Sequence, residues 1–362
     1  MRLPVVPPVS PMLAAAPAKG SASRIPEAAV GTLAYEPKWD GFRALLFRDG
    51  DAVVIQGRGG DDLAYAFPEI VEAARAILPP RIVLDGELIV VQGSRLDFEA
   101  LGSRLRPRSE AGKPSIARLA DALPAQYVAF DLLALEDALL LPLPFRDRRR
   151  HLEEALASAH APFRVTPMTE DADVARLWFE RFEGGGLDGL IVKPMADPYA
   201  PGKRTLTKVK HARSLDAVVA GWRAHSSSPD EVGSILLGLY DDAGRLHHIG
   251  VCSGFSAARR REFADLLTPY AVPEGDRHPW IDAEPGTRIP GGSHRWSRGR
   301  DSGFHPLLPD LVAEVAYDQF EGDRLRHVAS WQRWRPDRSA ASCTYDQAAR
   351  PAPIDIADIL VR

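Results

Sequence analysis

Lys38, in the run Glu36-Pro37-Lys38-Trp39-Asp40-Gly41-Phe42-Arg43, is the residue of this chain best suited to covalent chemistry. Of 45 basic residues only seven are lysines: Lys19, Lys38, Lys113, Lys193, Lys203, Lys208 and Lys210. A lysine kept against that arginine bias points to a need arginine cannot meet, an amine that sheds its proton and attacks as a nucleophile. Desolvation and neighbouring cations both favour the neutral amine. Asp40-Gly41 supplies a turn and a carboxylate, and Arg43 can reach phosphate or ribose oxygens. Lys19 and Lys113 read as solvated surface residues.

Two further carboxylates stand at the head of apolar runs, in Leu84-Asp85-Gly86-Glu87-Leu88 and in Leu187-Asp188-Gly189-Leu190-Ile191-Val192-Lys193. A single Asp-Gly marks a hairpin turn more often than a site. Two of them running into buried strands point to ligands for Mg²⁺ on a polyphosphate. Lys193 ends its apolar run, a place that suits a lysine facing an anion. In Thr207-Lys208-Val209-Lys210 the alternation puts both lysines on one face of a strand. A solvated edge strand guarded by lysine is the competing explanation. Arg324-Leu325-Arg326-His327 and Arg333-Trp334-Arg335-Pro336-Asp337-Arg338 form an arginine-dense patch suited to phosphate or nucleic acid. There is no Gly-x-x-x-x-Gly-Lys-[Ser/Thr] loop, Gly184-Gly185-Gly186 lacks a Rossmann setting, and the histidines, His247-His248 included, show no metal spacing.

These residues need a scaffold, and 362 residues suffice for two domains with cores of their own. A formal net charge of -4 means that any nucleic-acid binding must use a local basic surface. Two cysteines, Cys252 and Cys343, build neither a metal set nor a disulfide framework, which suits a reducing cytoplasm. Prolines at 4, 7, 8, 11 and 17 break any signal-peptide core, and no apolar run approaches the roughly 20 residues that span a bilayer. A cytoplasmic protein without a membrane is expected.

Residues 1 to about 30, rich in Pro and Ala, are expected to run extended over the surface. Strand patterns follow at 44–47, 53–55, 82–84, 88–91, 127–133 and 190–192, with helices at 67–78 and 148–157. This predicts an α+β domain built on antiparallel sheets over 1–212. Beyond Lys210 no lysine occurs, and short strands at 217–222, 234–240, 247–251 and 312–317 surround one helix at 257–267. That pattern predicts an all-β OB-fold domain over 213–362. Residues 290–303 read as an exposed loop.

The order and spacing of these pieces resemble the covalent nucleotidyltransferase superfamily, and most closely the ATP-dependent DNA ligases. The likeness spans almost the whole chain. Pro11-Met12-Leu13-Ala14 followed by Tyr35-Glu36-Pro37-Lys38-Trp39-Asp40-Gly41-Phe42-Arg43 is similar to small bacterial repair ligases of the LigC or LigD-ligase kind, and the stand-alone kind fits the length better. The resemblance implies an ATP-grasp-like adenylation domain followed by the OB fold. Lys38 would be adenylated by ATP, Glu36 would read the adenine amino group and Phe130 would stack on the ring. Arg43 and Arg58 would contact ribose and nick phosphates, while Glu87 and Asp188 would handle Mg²⁺ or Mn²⁺ and ribose. Lys193, Lys208 and Lys210 would hold the AMP phosphate. Arg333 and Arg335 would orient the pyrophosphate leaving group.

By the same resemblance, AMP passes from Lys38 to the 5′-phosphate of nicked double-stranded DNA, and the 3′-hydroxyl then displaces it. The protein would act as a monomer, near the nucleoid, alongside other DNA repair proteins. The OB domain would pivot near His211 to Leu215, and Arg295, Trp296, Arg298 and Arg300 would touch DNA. Three positions depart from the family pattern: Gly57 before Arg58 in place of Ser or Thr, Asp188 in place of Glu, and Arg338 after Asp337 in place of Lys. An RNA ligase or capping-type nucleotidyltransferase is the alternative within this chemistry. Outside it stands a nick- or end-binding repair module with weak catalysis. An NAD⁺-dependent ligase would need a four-cysteine zinc site that two cysteines cannot build.

Overall fold

Apolar side chains alternating along 42–57 and 81–135 have to bury one face of a pleated surface, and they do so as one antiparallel sheet. The computed structural model describes residues 1–17, 23–110, 112–211, 213–273, 275–291, 303–348 and 354–360. The sheet runs Ala52–Gly57, Phe42–Asp49, Arg81–Gln92, Ala125–Leu135 and Ala138–Leu139, in that order. The two strand patterns at 82–84 and 88–91 are one strand, and Asp85-Gly86 lies inside it. A bulge in the pairing with Ala125–Leu135 falls between these two residues. The expected break there was a bulge rather than a turn, because Gly86 lets the Tyr127 ring pack directly on the backbone.

Helices Pro68–Ile77 and Phe145–Ala155 are the two anticipated in this region, with shifted ends. Phe98–Arg104, Pro114–Ala122 and Ala172–Arg181 were not anticipated. Two of these start at side-chain caps, Asp97 accepting from the Ala100 N–H and Asp171 from the Asp173 N–H. Ile70, Ala74, Leu101 and Leu152 from the helices join Leu46, Leu84, Tyr127 and Leu132 in the main core.

A second sheet carries the residues of chemical interest. It runs Leu13–Ala15, Arg204–Val209, Leu190–Pro194 and Leu33–Pro37, with the first pair parallel and the others antiparallel. The amino-terminal segment is therefore no loose surface strand. Leu3, Val5 and Met12 are buried with Phe47, Val83 and Leu206, and apolar anchors between the prolines tie it down.

The chain divides into two compact units near residue 211. The carboxy-terminal end departs from the expected division at 212/213, because residues 354–360 belong to the first unit. The cause is apolar: Ile356, Ile359 and Leu360 are buried with Trp39, Ile89, Val128 and Leu187.

In the second unit the strands Leu246–Ser253, Ser228–Tyr240, Arg213–His225, His305–Tyr317 and Ser330–Trp334 form one antiparallel sheet. A bridge between Cys252 and Ala329 brings its two edges back together, as an OB barrel requires. Helix Ala257–Leu267, capped by Ser256, buries Phe263 and Leu267 in the barrel core. Residues 292–302, and with them Arg295, Trp296, Arg298 and Arg300, lie outside the described residues, as do Lys19 and Ala212. Among the described residues no helix is long and apolar enough to cross a membrane.

Candidate active site

Lys38 directly follows the strand Leu33–Pro37 and is fixed to the segment before Leu190 through its backbone. Its N–H donates to the Gly189 carbonyl at 2.8 Å, and the Asp188 N–H donates to the Lys38 carbonyl at 3.0 Å. The side chains repeat the link: Lys38 Nζ lies 2.6 Å and Lys210 Nζ 2.9 Å from the same oxygen, Asp188 Oδ2. Burial pushes the Asp188 carboxyl up, but Lys38 and Lys210 outweigh it and hold the group below its usual range.

Glycine is obligatory at both ends of this arrangement. A β-carbon at Gly41 would collide with the Leu88 carbonyl, and one at Gly189, where φ is +126°, would collide with the Val209 carbonyl. Asp40-Gly41 and Asp188-Gly189 are places where two backbones touch, rather than hairpin turns.

Glu36, Lys38, Arg43, Arg58, Glu87, Phe130, Lys193, Lys208 and Lys210 line one cavity of about 260 Å³, together with Trp39 and Arg204. Its lining is rich in cations: Lys38, Lys208, Lys210, Arg58 and Arg204. Glu36 is only 2% exposed and pairs with Lys193 at 2.7 Å and Arg149 at 3.3 Å. The anion that Lys193 faces is thus Glu36. The Phe130 ring stands between two cations, with the Arg43 guanidinium 4.7 Å and Lys193 Nζ 4.9 Å from its centroid. Burial pushes the Glu87 carboxyl up to about 7 against the pull of Arg43 and Lys38, and Glu87 accepts from the Gly41 N–H at 3.2 Å.

Asp85 is not placed to bind a metal. It is fully buried, accepting from Arg43 Nε at 2.7 Å and Nη2 at 2.6 Å and from the Tyr199 hydroxyl at 2.6 Å. Its strand position turns its side chain to Arg43, which it holds by a two-pronged contact. Among the described residues no group of three or more His, Cys, Asp or Glu side chains could cage a metal ion. Asp188 lies 2.6 Å from the Lys38 amine, and Glu87 also feels its charge.

Arg149, Tyr199 and Thr166, whose hydroxyl accepts from Trp39 Nε1 at 2.8 Å, support the site without having been anticipated, and Asp85 supports it by holding Arg43 rather than a metal. They lie far from Lys38 in sequence, and buried polar residues carry no periodic signal. Arg333 and Arg335 belong to the second unit. Arg333 is exposed and reaches Glu314 at 2.7 Å, while Arg335 is held by Asp216 at 3.0 Å and Asp337 at 2.8 Å. Arg338 reaches Asp216 at 3.3 Å.

A nucleophilic amine set beside a basic cleft, with a buried carboxylate and an aromatic ring in its lining, suits a purine nucleotide and its phosphates. Residues 11–210 match the family model for the ATP dependent DNA ligase domain, and residues 228–338 match that for the ATP dependent DNA ligase C terminal region. The chain belongs to the ATP-dependent DNA ligase family. It is 48% identical to DNA ligase C2 of Mycolicibacterium smegmatis over 97% of each chain, and 46% identical to DNA ligase C of Mycobacterium tuberculosis over 99% of each. A solved structure of a Lig E DNA ligase, 18% identical, covers 91% of this chain and 100% of its own with a TM-score of 0.54, in keeping with the fold.

Proposed function

We propose that this protein seals nicks between 3′-hydroxyl and 5′-phosphate ends of double-stranded DNA, using ATP and a lysyl-AMP intermediate on Lys38. The observation that carries this reading is the convergence of Lys38, Glu36, Phe130, Lys208 and Lys210 on one cavity from three separate stretches of sequence. In the first step the Lys38 amine attacks the α-phosphorus of ATP, forming a P–N bond as pyrophosphate leaves. Glu36 faces the adenine amino group, and Phe130 stacks on the base. Lys208 and Lys210, with Arg58, offset the phosphate charge, and Arg43, locked by Asp85, fixes the ribose side. Such in-line transfers draw most of their rate from positioning and cationic stabilisation.

A divalent ion, Mg²⁺ or Mn²⁺, needs only one or two carboxylates when it rides on phosphates, and Glu87 with Asp188 would supply them. When bound, it would neutralise charge developing on the phosphates. Arg333 and Arg335 are assigned to the pyrophosphate, and residues 211–215 to a pivot between the two units. The enzyme would work on DNA in the cytoplasm, as a monomer beside other repair proteins.

Incubation with α-labelled ATP and a divalent ion should leave label on the denatured wild type and none on Lys38→Ala. Nicked duplex DNA should then discharge it. Label that survives in Lys38→Ala would sink the assignment, and discharge by nicked RNA alone would favour an RNA ligase.

A further inference from the structure

Glu36 and Glu87 are the acidic side chains among the described residues that line the cavity, and the charge of Glu36 is set by residues behind it. Lys193, from the strand Leu190–Pro194, reaches one carboxylate oxygen at 2.7 Å. Arg149, from helix Phe145–Ala155, reaches the other at 3.3 Å. Asp131, from the strand Ala125–Leu135, also acts on Glu36, but Arg148 binds both of its oxygens at 2.8 and 3.0 Å. Arg149 does not line the cavity. It is anchored by Glu153 at 2.7 Å and by the Thr166 carbonyl at 2.7 Å, so its guanidinium is immobile behind Glu36.

We propose that Arg149 is a positioning residue that, through Glu36, makes the site select a 6-aminopurine over a 6-oxopurine. The inference rests on the ligase reading above. A carboxylate only accepts hydrogen bonds, and it matches the amino group of adenine. A protonated carboxyl keeps an acceptor oxygen but adds an O–H donor, which the 6-oxo group of hypoxanthine or guanine can accept. The two purines are therefore told apart by one proton on Glu36. Burial pushes the Glu36 carboxyl up, and Lys193 and Arg149 oppose that push. With Arg149 gone, Lys193 alone opposes it, and Lys193 is shared with the Phe130 carbonyl at 2.8 Å. The acceptor form then gives way to the donor form at a higher pH.

The test measures kcat/KM for self-labelling by ATP and by inosine triphosphate from pH 6 to 9. Wild type should prefer ATP by on the order of 10²-fold at pH 8, and any change in the preference should be a fall as pH is lowered. Arg149→Met should bring the two nucleotides within roughly 10-fold at pH 7.5. Arg149→Lys, which keeps the charge, should restore most of the preference. Because Arg149→Met removes buried hydrogen bonds, Glu36→Gln provides a second arm with Arg149 intact. Its amide can donate or accept, so the preference should fall and lose any pH dependence.

An unchanged ATP-to-ITP ratio at every pH in Arg149→Met or Glu36→Gln, with ATP labelling merely slowed, would overturn this inference alone. A wild type that no purine triphosphate labels would overturn the ligase reading and this inference with it.

Discussion

Asp188 Oδ2 lies 2.6 Å from Lys38 Nζ and also holds Lys210, at 2.9 Å, so one carboxylate oxygen gathers the nucleophile and a phosphate-binding lysine. Without it the two amines lose the acceptor that they share. Asp188→Ala should slow self-adenylation by on the order of 10²-fold in single-turnover labelling. Asp188→Glu, the residue more usual in the family, should recover to within roughly 10-fold of wild type. Asp188 is held below its usual range in the folded state. Its contribution is therefore present above the unfolded value of about 3.9 and lost only as pH falls through the lower folded value. The tether stays intact at pH 5, and any loss of rate between pH 5 and 8 must come from another group.

Glu87 is such a group, because burial raises its carboxyl to about 7. With a folded value above the unfolded one, its favourable share of stability is complete below about 4.3 and is lost as pH rises through 7. The melting temperature of wild type should therefore fall relative to that of Glu87→Gln between pH 5 and 8. Parallel curves for the two proteins across that range would contradict the burial of this carboxyl.

Two glycines of the site motifs separate backbone necessity from family habit. Gly41→Ala drives a methyl into the Leu88 carbonyl. Backbone on both sides must move, and a loss of roughly 3 kcal/mol or more is expected in denaturant unfolding of the first unit. Gly57 departs from the family's Ser or Thr, and its added carbon would press on the Leu63 side chain at 3.1 Å, with the Asp61 carbonyl in ordinary contact at 3.5 Å. Gly57→Ser should cost less than about 1 kcal/mol, since a side-chain end can give.

How much of this was visible beforehand differs by residue. Lys38, Arg43 and the lysines at 193, 208 and 210 stood out by type and spacing, and all of them line one cavity, whereas Glu36 was singled out only by the family resemblance. The strands were legible where burial makes sequence apolar. Arg149 and Tyr199 were hidden, because a polar residue buried by pairing looks in sequence like one exposed to water. Asp85-Gly86 read as a metal ligand at the head of a strand, whereas Asp85 holds Arg43 and the reason for the glycine is the Tyr127 ring, 41 residues away along the chain. The docking of residues 354–360 was equally invisible, since a short apolar segment carries no address for the surface that covers it.

Cys252 and Cys343 are both buried, and burial pushes their thiols up, to about 12 and about 11. Thiolate is the reactive form. Neither should react measurably with iodoacetamide at pH 8 in the native protein within an hour, while both should react in guanidinium. Fast labelling of either in the native state would show that the barrel opens readily.

Ile356, Ile359 and Leu360 join the first unit although the whole second unit precedes them in sequence, and they share a cluster with Trp39 and Leu187. Trp39 adjoins Lys38, and Leu187 adjoins Asp188, so the segment packs behind both members of the central pair. Ile354 and Ile356 also close on Gly185, each within 3.3 Å of where a β-carbon would stand. Ile356 is 1% exposed, and Ile356→Ala should cost about 2–4 kcal/mol through transfer and cavity terms. The loss should appear in the first unit's unfolding transition and leave the second unit's unchanged. Ile281, 61% exposed, is the control, and Ile281→Ala should shift neither transition by more than about 0.5 kcal/mol. Because the lost support lies under Trp39 and Leu187, Ile356→Ala should also slow self-adenylation well below its melting temperature. A variant that melts early yet labels at the wild-type rate when folded would show that the segment stabilises the unit without steadying Lys38.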